Sequence, residues 1–313
     1  MNPFFSVVIS IYNKETYILN TLQSVVDQTY ENFEIIAVND GSTDRSLEIL
    51  KQFEDSRIII INQENHGASY ARNQGMAITK GRFVALLDGD DLWDKTFLSS
   101  MHDLINKYED QSVFTAAIAH MHHKKIIPVH YSFTPTETVS VLNYFKASSR
   151  HSILSGSSAV FKKDILETTG VFDTEIKSGQ DTDLWIRIGL HFPIIFLNKV
   201  LVYYVQNQNS LSNSTTNLSA KPKFDNYGKE EKENIYLKKF LDNNRFSMAL
   251  LAKLNNETEA YNYYHGAISK TNLSMKRKLL LKTPIWLVKL FLRLRKANNV
   301  KTYYPILEDK KSS

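Results

Sequence analysis

The chain has 313 residues, of which 42% are hydrophobic and 23% charged, a composition that is ordinary for a globular protein and excludes a largely disordered one. The absence of cysteine excludes disulfides and thiolate metal sites. No basic region precedes the short N-terminal apolar run, so we expect no signal peptide, and no run of about 18 to 20 uncharged apolar residues occurs, so we expect no spanning helix. We therefore expect a cytoplasmic location. The net charge of +5 is concentrated in residues 275–296, which hold eight Lys or Arg and no acid.

Short apolar segments alternate with helix-length segments through the first third of the chain. The segments rich in β-branched residues, which are predicted as strands buried on both faces, are 5–11, 33–38, 57–61 and 82–87. Apolar residues at helical spacing predict helices over 14–28 and 42–53. This alternation predicts an α/β fold with a Rossmann-like, mostly parallel, doubly wound sheet, in which ligands bind outside the carboxyl ends of the strands.

Polar loops follow each predicted strand, and the most acidic of them follows the fourth. Neither a G-x-G-x-x-G dinucleotide fingerprint nor a G-x-x-x-x-G-K-[ST] phosphate loop follows the first strand. Asp88, Asp90 and Asp91 can instead supply hard oxygen ligands to a Mg²⁺ or Mn²⁺ ion that also binds substrate phosphates. A simple strand-end turn is the alternative explanation for these carboxylates.

Four stretches carry a resemblance to a known family. "SVVISIYNKETYILNTLQSVVDQTYENFEIIAVNDGSTD" and "NHGASYARNQGMAITKGRFVALLDGDDLW" resemble the donor-binding half of family 2 glycosyltransferases, which have the GT-A fold. "GSSAVFKKDILETTGVFDTEI" and "GQDTDLWIRIG" resemble the acceptor-side half. The resemblance spans roughly residues 5–212. It implies a glycosyltransferase domain over 1–212, with a nucleotide-sugar half at 1–110 and an acceptor-side half at 111–212, followed by a helical region at 213–313.

The resemblance also implies roles for individual residues. Asp40 would accept a hydrogen bond from the nucleotide base, typically uracil, and Arg72 would reach the base or the diphosphate. Asp88 would face the ribose, and Asp90 would ligate a Mg²⁺ or Mn²⁺ ion that neutralises charge on the departing nucleoside diphosphate, with Asp91 in support. The implied nucleotide-binding residues are Ser10, Tyr12, Asp40, Arg72 and Asp88.

The resemblance identifies Asp181 as the catalytic base. "GQDTDLWIRIG" places Asp181 at the predicted start of a helix, where the family commonly has Glu and then the basic Asp. Direct attack on the face opposite the leaving group, with Asp181 taking the proton, would invert the anomeric centre. Asp183 competes for this role, and Trp185 is predicted as a packing residue, with stacking on a sugar as the alternative.

Several positions depart from the family pattern. Gln180 replaces the common Glu, Asn39 replaces a frequent Asp, and Val205 and Asn207 stand where Arg and His are frequent. The Gln-x-x-Arg-Trp motif of processive synthases is absent, which favours a bacterial enzyme of single addition. These departures keep open a non-catalytic sugar-nucleotide or membrane-tethered binding module. A nucleotidyltransferase is a further alternative, although its Gly-rich phosphate loop is missing.

Two groups of polar residues have simpler structural explanations. Asp44 and Asp94 are predicted to cap helices. The stretch "AHMHHKKIIPVH" is predicted as an exposed hairpin rather than a metal site, because no ligand spacing accompanies its histidines, which are His120, His122, His123 and His130.

The C-terminal third is predicted to be helical, and its last helix is basic and amphipathic. In residues 275–296 the basic positions are Lys282, Lys289, Arg293 and Lys296, while Leu287, Leu290 and Leu294 recur on another face. Pro284 would kink or start this helix. Such a segment can lie on an anionic membrane surface, which would place the protein peripherally on the inner face of the plasma membrane, or it can dock on its own domain. The predicted function is transfer of a sugar, from a UDP-sugar, to a glycan or lipid-linked acceptor in surface polysaccharide or lipopolysaccharide synthesis, without contact to nucleic acid.

Overall fold

A computed structural model describes residues 2–122, 125–135, 137–205, 218 and 221–290. The chain forms two units, residues 1–207 and residues 208–313. The division falls five residues before the domain boundary predicted after residue 212.

The donor-side half of the sheet consists of four parallel strands. They are β1 (Phe5–Ile11), β2 (Phe33–Asp40), β3 (Ile58–Gln63) and β4 (Phe83–Asp88), in the order β3-β2-β1-β4. Every residue of β1 and β2 is buried, as expected for β-branched strands covered on both faces. The four predicted strands are confirmed, each to within three residues at its ends.

Helices α1 (Ile18–Val26), α2 (Ser46–Lys51) and α3 (Ala68–Ala77) connect these strands, and α4 (Phe97–Lys107) leads from them into the second half of the sheet. Helix α1 buries Ile18, Leu22 and Val25, the positions at helical spacing. Helix α2 is shorter than the predicted 42–53, because Asp44 accepts hydrogen bonds from the backbone N–H groups of Ser46 and Glu15 and holds the preceding residues in a loop. Asp94 similarly accepts from Thr96 N ahead of α4.

Glycine brings α3 close to the sheet. A Cβ at Gly75 would lie 2.5 Å from Val8 Cγ1 and 3.1 Å from Val38 Cγ2, so α3 packs directly on β1 and β2. Arg72 lies one turn earlier on the same helix and is therefore held at the carboxyl-end side of the sheet.

The second half of the sheet contains both parallel and antiparallel strand pairs. Its strands are β5 (Leu92–Trp93), β6 (Val113–His122), β7 (Lys125–Pro128), β8 (Val139–Leu142), β9 (Val160–Lys162) and β10 (Ile194–Val205). Strand β9 joins the halves by pairing antiparallel with β4 and β6, and β10 runs parallel to β6. Strands β6 and β7 form the exposed hairpin predicted for the histidine-rich stretch. Three helices lie between these strands: α5 (Tyr144–Ala147), α6 (Leu166–Thr169) and α7 (Gln180–His191).

The second unit is helical, as predicted. It contains α8 (Glu230–Glu233), α9 (Ile235–Asn255), α10 (Thr258–Gly266) and α11 (Met275–Lys282), followed by a helix over 285–290. Its core includes Phe246, Leu250 and Tyr264. Asp242 is fully buried on α9 and accepts from Lys238 Nζ at 2.8 Å and from Asn272 Nδ2 at 2.8 Å, which satisfies its charge.

The predicted basic helix over 275–296 is divided at the expected proline. Helix α11 ends at Lys282, Thr283 is extended, and the next helix begins after Pro284. Leu281 and Val288 are buried in the core of the second unit, so both helices dock on it. Arg293, Leu294 and Lys296 lie outside the described residues. Within the described residues, no helix has the length and hydrophobicity needed to cross a bilayer.

Candidate active site

The carboxyl ends of β1 and β4 lie side by side and bring several predicted residues together. Ser10 is opposite Asp88 in the parallel register, and Gly89 N donates to Ser10 O at 3.1 Å. Tyr12 lies just beyond β1 with 47% of its surface exposed, which leaves its ring open to a stacking partner.

The three carboxylates after β4 have three different partners. Asp88 Oδ1 lies 2.5 Å from Arg72 Nη2, and Asp90 Oδ2 lies 2.5 Å from Lys14 Nζ. Asp91 is buried, accepting from Ser157 Oγ at 2.6 Å and from Val205 N at 3.2 Å. Burial, with the charges of Asp88 and Asp90, raises the pKa of Asp91 well above its usual value. Asp91 thus ties the turn to the ends of neighbouring segments, and its supporting role in the site stays a prediction.

Arg72 connects the donor-side carboxylate to the predicted base. Its guanidinium is 5% exposed, lies 2.5 Å from Asp88, and places Nη1 3.7 Å from Asp181 Oδ1. It also packs over the Phe172 ring at 5.2 Å. Nη1 is buried and has no hydrogen-bond partner among the described residues, so it keeps a donor for a substrate oxygen. The predicted contact of Arg72 with base or diphosphate stays a prediction.

Asp181 lies in the first turn of α7, as predicted. The helix begins after Gly179, whose φ of 83° is a left-handed conformation that favours glycine. The Asp181 carboxylate is 37% exposed, so it faces both protein and open space. The surrounding protein raises the pKa of Asp181; Arg72 acts against this shift, and the nearby Asp88 charge adds to it. The result is a carboxylate that binds a proton more readily than a free aspartate does.

The competing and supporting residues on α7 have structural partners. Asp183 accepts from Arg187 Nη2 at 2.6 Å, and Arg187 also donates to Val171 O at 2.9 Å. Trp185 is buried and packs edge-on against Phe172, so its ring is not available to a sugar. Gln180, which replaces the common Glu, is also buried.

Asp40 lies at the end of β2 with its carboxylate engaged by the protein. Oδ1 accepts from Gln63 Nε2 at 2.7 Å and from His66 N at 3.0 Å, and Oδ2 accepts from Gly67 N at 2.8 Å. Asp40 is 2% exposed, so its observed role is to hold the loop before α3. The predicted contact with a nucleotide base is not tested by this arrangement.

Four residues that the sequence analysis did not single out contribute to the site. Lys14 binds Asp90, and Ser157 binds Asp91. A Cβ at Gly156 would lie 3.0 Å from Asp88 Oδ2 and 3.1 Å from Arg72 Nη2, so a side chain at this position would crowd that pair. Burial raises the pKa of Tyr204 well above its usual value, and the Asp91 charge adds to the shift. The sequence offered two signals for these residues. Lys14 directly follows "YN", and Gly156 and Ser157 belong to the "GSS" of a stretch that resembles the family.

A divalent ion can be held here by one protein carboxylate. The described residues contain no group of three His, Asp or Glu side chains placed to bind a metal ion. Asp90 nevertheless already binds a cation, the Lys14 ammonium, while Asp88 and Asp91 are committed elsewhere. The site therefore fits an ion that takes Asp90 and completes its shell with water and substrate phosphates, as Mg²⁺ usually does.

Two cavities lie near the strand ends. One of about 680 Å³ opens beside Asp40 and is lined by polar side chains that include Asn39, Asn62 and Asn65. Asn39 Oδ1 is buried there without a hydrogen-bond partner among the described residues. A larger cavity of about 850 Å³ lies against Asn73 and Lys163 and contains none of the predicted site residues. The polar cavity is likewise lined by none of them, but it adjoins the candidate site because its walls include Asn39 and Gly41, the two neighbours of Asp40 in the chain.

The fold is the GT-A fold of nucleotide-sugar glycosyltransferases. The structure of S. aureus TarS 1–349 in complex with UDP-GlcNAc is similar with a TM-score of 0.69 and 21% identity, covering 97% of this chain and 90% of that one. The family model Glycosyl transferase family 2 matches residues 6–170, just over half of the chain. The chain thus belongs to glycosyltransferase family 2.

Curated relatives support this assignment. Escherichia coli WfaP, a UDP-Glc:alpha-D-GlcNAc-diphosphoundecaprenol beta-1,3-glucosyltransferase, is 33% identical over 186 residues, which are 58% of this chain and 69% of WfaP. Streptococcus pneumoniae glycosyltransferase GlyA is 42% identical over 106 residues, which are 33% of this chain and 15% of GlyA. S. pneumoniae glycosyltransferase GlyG is 36% identical over 110 residues, 34% of this chain and 36% of GlyG. The chain thus spans only part of the length of these two streptococcal relatives.

Proposed function

We propose that this chain transfers a sugar from a UDP-sugar to a hydroxyl group of a glycan or lipid-linked acceptor, with inversion at the anomeric carbon. The observation that carries the proposal is the Asp88–Arg72–Asp181 arrangement. It joins the end of the donor-side strands to a partly exposed carboxylate whose pKa is raised. This arrangement supports a general base at Asp181 next to a donor site at the strand ends.

In the proposed reaction, Asp181 accepts the proton of the acceptor hydroxyl as that oxygen bonds to the anomeric carbon. The bond to the diphosphate breaks on the opposite face, and the diphosphate leaves with the electron pair. Arg72 Nη1 can donate to a diphosphate oxygen, and Tyr12 offers its exposed ring to the base. A divalent ion held by Asp90 would supply Lewis-acid stabilisation of the departing diphosphate.

UDP is favoured as the nucleotide by what the relatives bind and by the cavity beside Asp40. WfaP is named for UDP-Glc, and TarS has been crystallised with UDP-GlcNAc and with UDP. The cavity walls carry amide groups from Asn39, Asn62 and Gln63, which can both donate to and accept from a pyrimidine edge.

Replacing Asp90 by Ala is expected to abolish metal-dependent binding of UDP. The substitution removes the one carboxylate that is placed to hold the ion, so adding Mn²⁺ no longer strengthens UDP binding. Isothermal titration calorimetry with UDP, GDP, CMP and ADP, with and without Mn²⁺, measures this. Asp103→Ala, at a side chain 85% exposed on α4, is the control and should behave as wild type. UDP binding that is equally metal-dependent in Asp90→Ala would remove Asp90 from the metal site.

A lipid-linked acceptor would lie at a membrane surface. The second unit has exposed side chains whose chemistry suits contact with such a surface. The side chains of Met275 and Leu279 on α11, and of Trp286 and Leu290 after Pro284, are 78%, 67%, 64% and 46% exposed. Lysines lie among them at 276, 278, 282 and 289. Exposed apolar side chains interspersed with lysines match the chemistry of an anionic lipid interface.

Replacing Lys276, Lys282 and Lys289 together by Glu is expected to release the protein from anionic vesicles. Each basic residue near such a surface contributes about 1 kcal/mol, so binding should fall on the order of a hundredfold. Co-sedimentation with phosphatidylglycerol vesicles measures the change, and phosphatidylcholine vesicles test its charge dependence. The control replaces three exposed lysines elsewhere by Glu, at Lys51, Lys80 and Lys95. Equal release by the control triple would mean that net charge, not this face, governs binding.

The non-catalytic alternative predicts a different outcome. A sugar-nucleotide binding module would bind UDP and show no turnover with any UDP-sugar. Gln180, Val205 and Asn207 are the departures that motivate this alternative, and Asn207 lies outside the described residues. Measuring UDP release from a panel of UDP-sugars, alongside UDP affinity, separates the two functions.

A further inference from the structure

Lys14 is fixed at the donor-side end of the sheet by its backbone. Lys14 N donates to Ser46 Oγ at 2.7 Å, and Lys14 O accepts from Tyr17 N at 2.8 Å and Ile18 N at 2.9 Å. These bonds tie the residue to the beginnings of both α1 and α2. The side chain therefore starts from a rigid point beside the turn that follows β4.

The Lys14 side chain binds the carboxylate that the divalent ion would need. Nζ lies 2.5 Å from Asp90 Oδ2, and the two side chains are only 18% and 14% exposed. A pair so withdrawn from water is stronger than a surface ion pair. A divalent ion that takes Asp90 Oδ2 competes with the Lys14 ammonium, because both are cations that are attracted to the same oxygen.

The neighbouring carboxylates do not offer the ion a substitute. Asp88 is paired with Arg72, and Asp91 accepts from Ser157 and Val205 within the protein. An ion that takes Asp90 Oδ2 therefore competes with Lys14 for that oxygen. The displaced ammonium stays close to the site, where the diphosphate of a donor would give it a new anionic partner.

We propose that Lys14 exchanges between Asp90 and the donor diphosphate, and thereby makes metal binding and diphosphate binding cooperative. Without a donor, Lys14 occupies Asp90 and weakens binding of the ion. With a donor, the diphosphate draws Lys14 away and frees Asp90. The coupling is reciprocal, so each ligand strengthens the other by the same factor. This inference rests on the metal-diphosphate site of the proposed function.

Replacing Lys14 by Met tests the exchange without measuring turnover. Mn²⁺ alone should bind Lys14→Met about tenfold more tightly than wild type, because Asp90 no longer holds a competing cation. The factor by which UDP strengthens Mn²⁺ binding should shrink in the variant. Electron paramagnetic resonance of free Mn²⁺ gives the affinity with and without UDP, and calorimetry gives the UDP affinity with and without Mn²⁺.

Further variants make the result specific to the Lys14–Asp90 pair. Lys14→Arg retains a cation and should keep weak binding of Mn²⁺ alone. Lys14→Gln is a second neutral variant, which should repeat the Lys14→Met result and replaces it if thermal unfolding shows that the Met protein is not folded. In an Asp90→Ala background, Lys14→Met should leave Mn²⁺ affinity unchanged.

The outcomes distinguish this inference from the proposed function. If wild type binds UDP with Mn²⁺ and the neutral variants bind Mn²⁺ alone no better, the exchange is overturned and the proposed function stands. The same holds if Lys14→Arg behaves like Lys14→Met, because the charge would then be irrelevant. If wild type itself binds neither UDP nor Mn²⁺, the proposed function fails, and the inference fails with it.

Discussion

Replacement of Asp181 by Asn is expected to lower turnover on the order of 100- to 10,000-fold while the affinity for UDP stays unchanged. The amide is similar in size to the carboxylate but does not accept the acceptor proton. Nucleotide binding should survive, since the proposed donor contacts lie on Tyr12, Arg72 and Asp90 instead. Initial rates of UDP release from UDP-sugars, together with UDP calorimetry, separate the two effects.

Asp183→Asn is the matched control for Asp181→Asn. Asp183 lies two residues further along α7, and Arg187 binds it through Nε at 3.0 Å and Nη2 at 2.6 Å. Its loss should cost about 1 kcal/mol of folding stability, as for a partly exposed ion pair, with little change in turnover. Undiminished turnover in Asp181→Asn would remove Asp181 from the base role, and a collapse confined to Asp183→Asn would transfer the role to Asp183.

The donor-side half was predictable because three of its four strands, β1, β2 and β4, are almost entirely buried, while β3 at the edge is only partly buried. A short run rich in β-branched residues, such as 5–11, is typical of a buried strand in an α/β protein, and parallel connection places the carboxyl ends of such strands at one edge. Because the carboxyl ends of parallel strands lie at one edge, Ser10, Asp88 and the loop after β2 were expected to lie close together. The start of α2 was harder to predict, because the Asp44 side chain competes with the helix for backbone N–H groups.

The partner that each carboxylate of the acidic run at 88–91 binds was not predictable from local sequence. Lys14 and Asp90 are 76 residues apart, and Asp91 and Ser157 are 66 residues apart, so the pairings exist only after the sheet has formed. "DGDD" shows that negative charge is present and does not show which carboxylate each cation takes. Gly156 illustrates the same limit, because its lack of a side chain matters only once Asp88 and Arg72 lie against it.

Replacement of Arg72 by Met is expected to move the acid limb of the pH–rate profile to higher pH. Burial raises the pKa of Asp181, and the Arg72 charge opposes that shift. Without Arg72, the pKa of Asp181 rises further. Because Asp181 must be deprotonated to act as a base, activity is present above this pKa and is lost as the pH falls through it. The loss in the variant should therefore grow toward low pH.

Arg72→Met should also destabilise the fold, because it leaves Asp88 and Asp181 without their shared cation. Removing one partner of a fully buried pair costs about 3 to 5 kcal/mol, and the partial exposure of both carboxylates reduces the figure here to about 2 to 3 kcal/mol. Denaturant unfolding measures this loss of stability, and kcat/KM as a function of pH measures the shift of the acid limb.

Arg187→Met separates the two consequences of Arg72→Met. Arg187 pairs with Asp183 on the same helix, so its loss should reduce stability and leave the acid limb in place. If the Arg72→Met profile instead superimposes on that of wild type after scaling, Arg72 does not set the pKa of Asp181. The guanidinium would then serve the donor alone, through the Nη1 group that is not hydrogen-bonded among the described residues. A shifted limb would show that the Arg72 cation tunes the base that activates the acceptor.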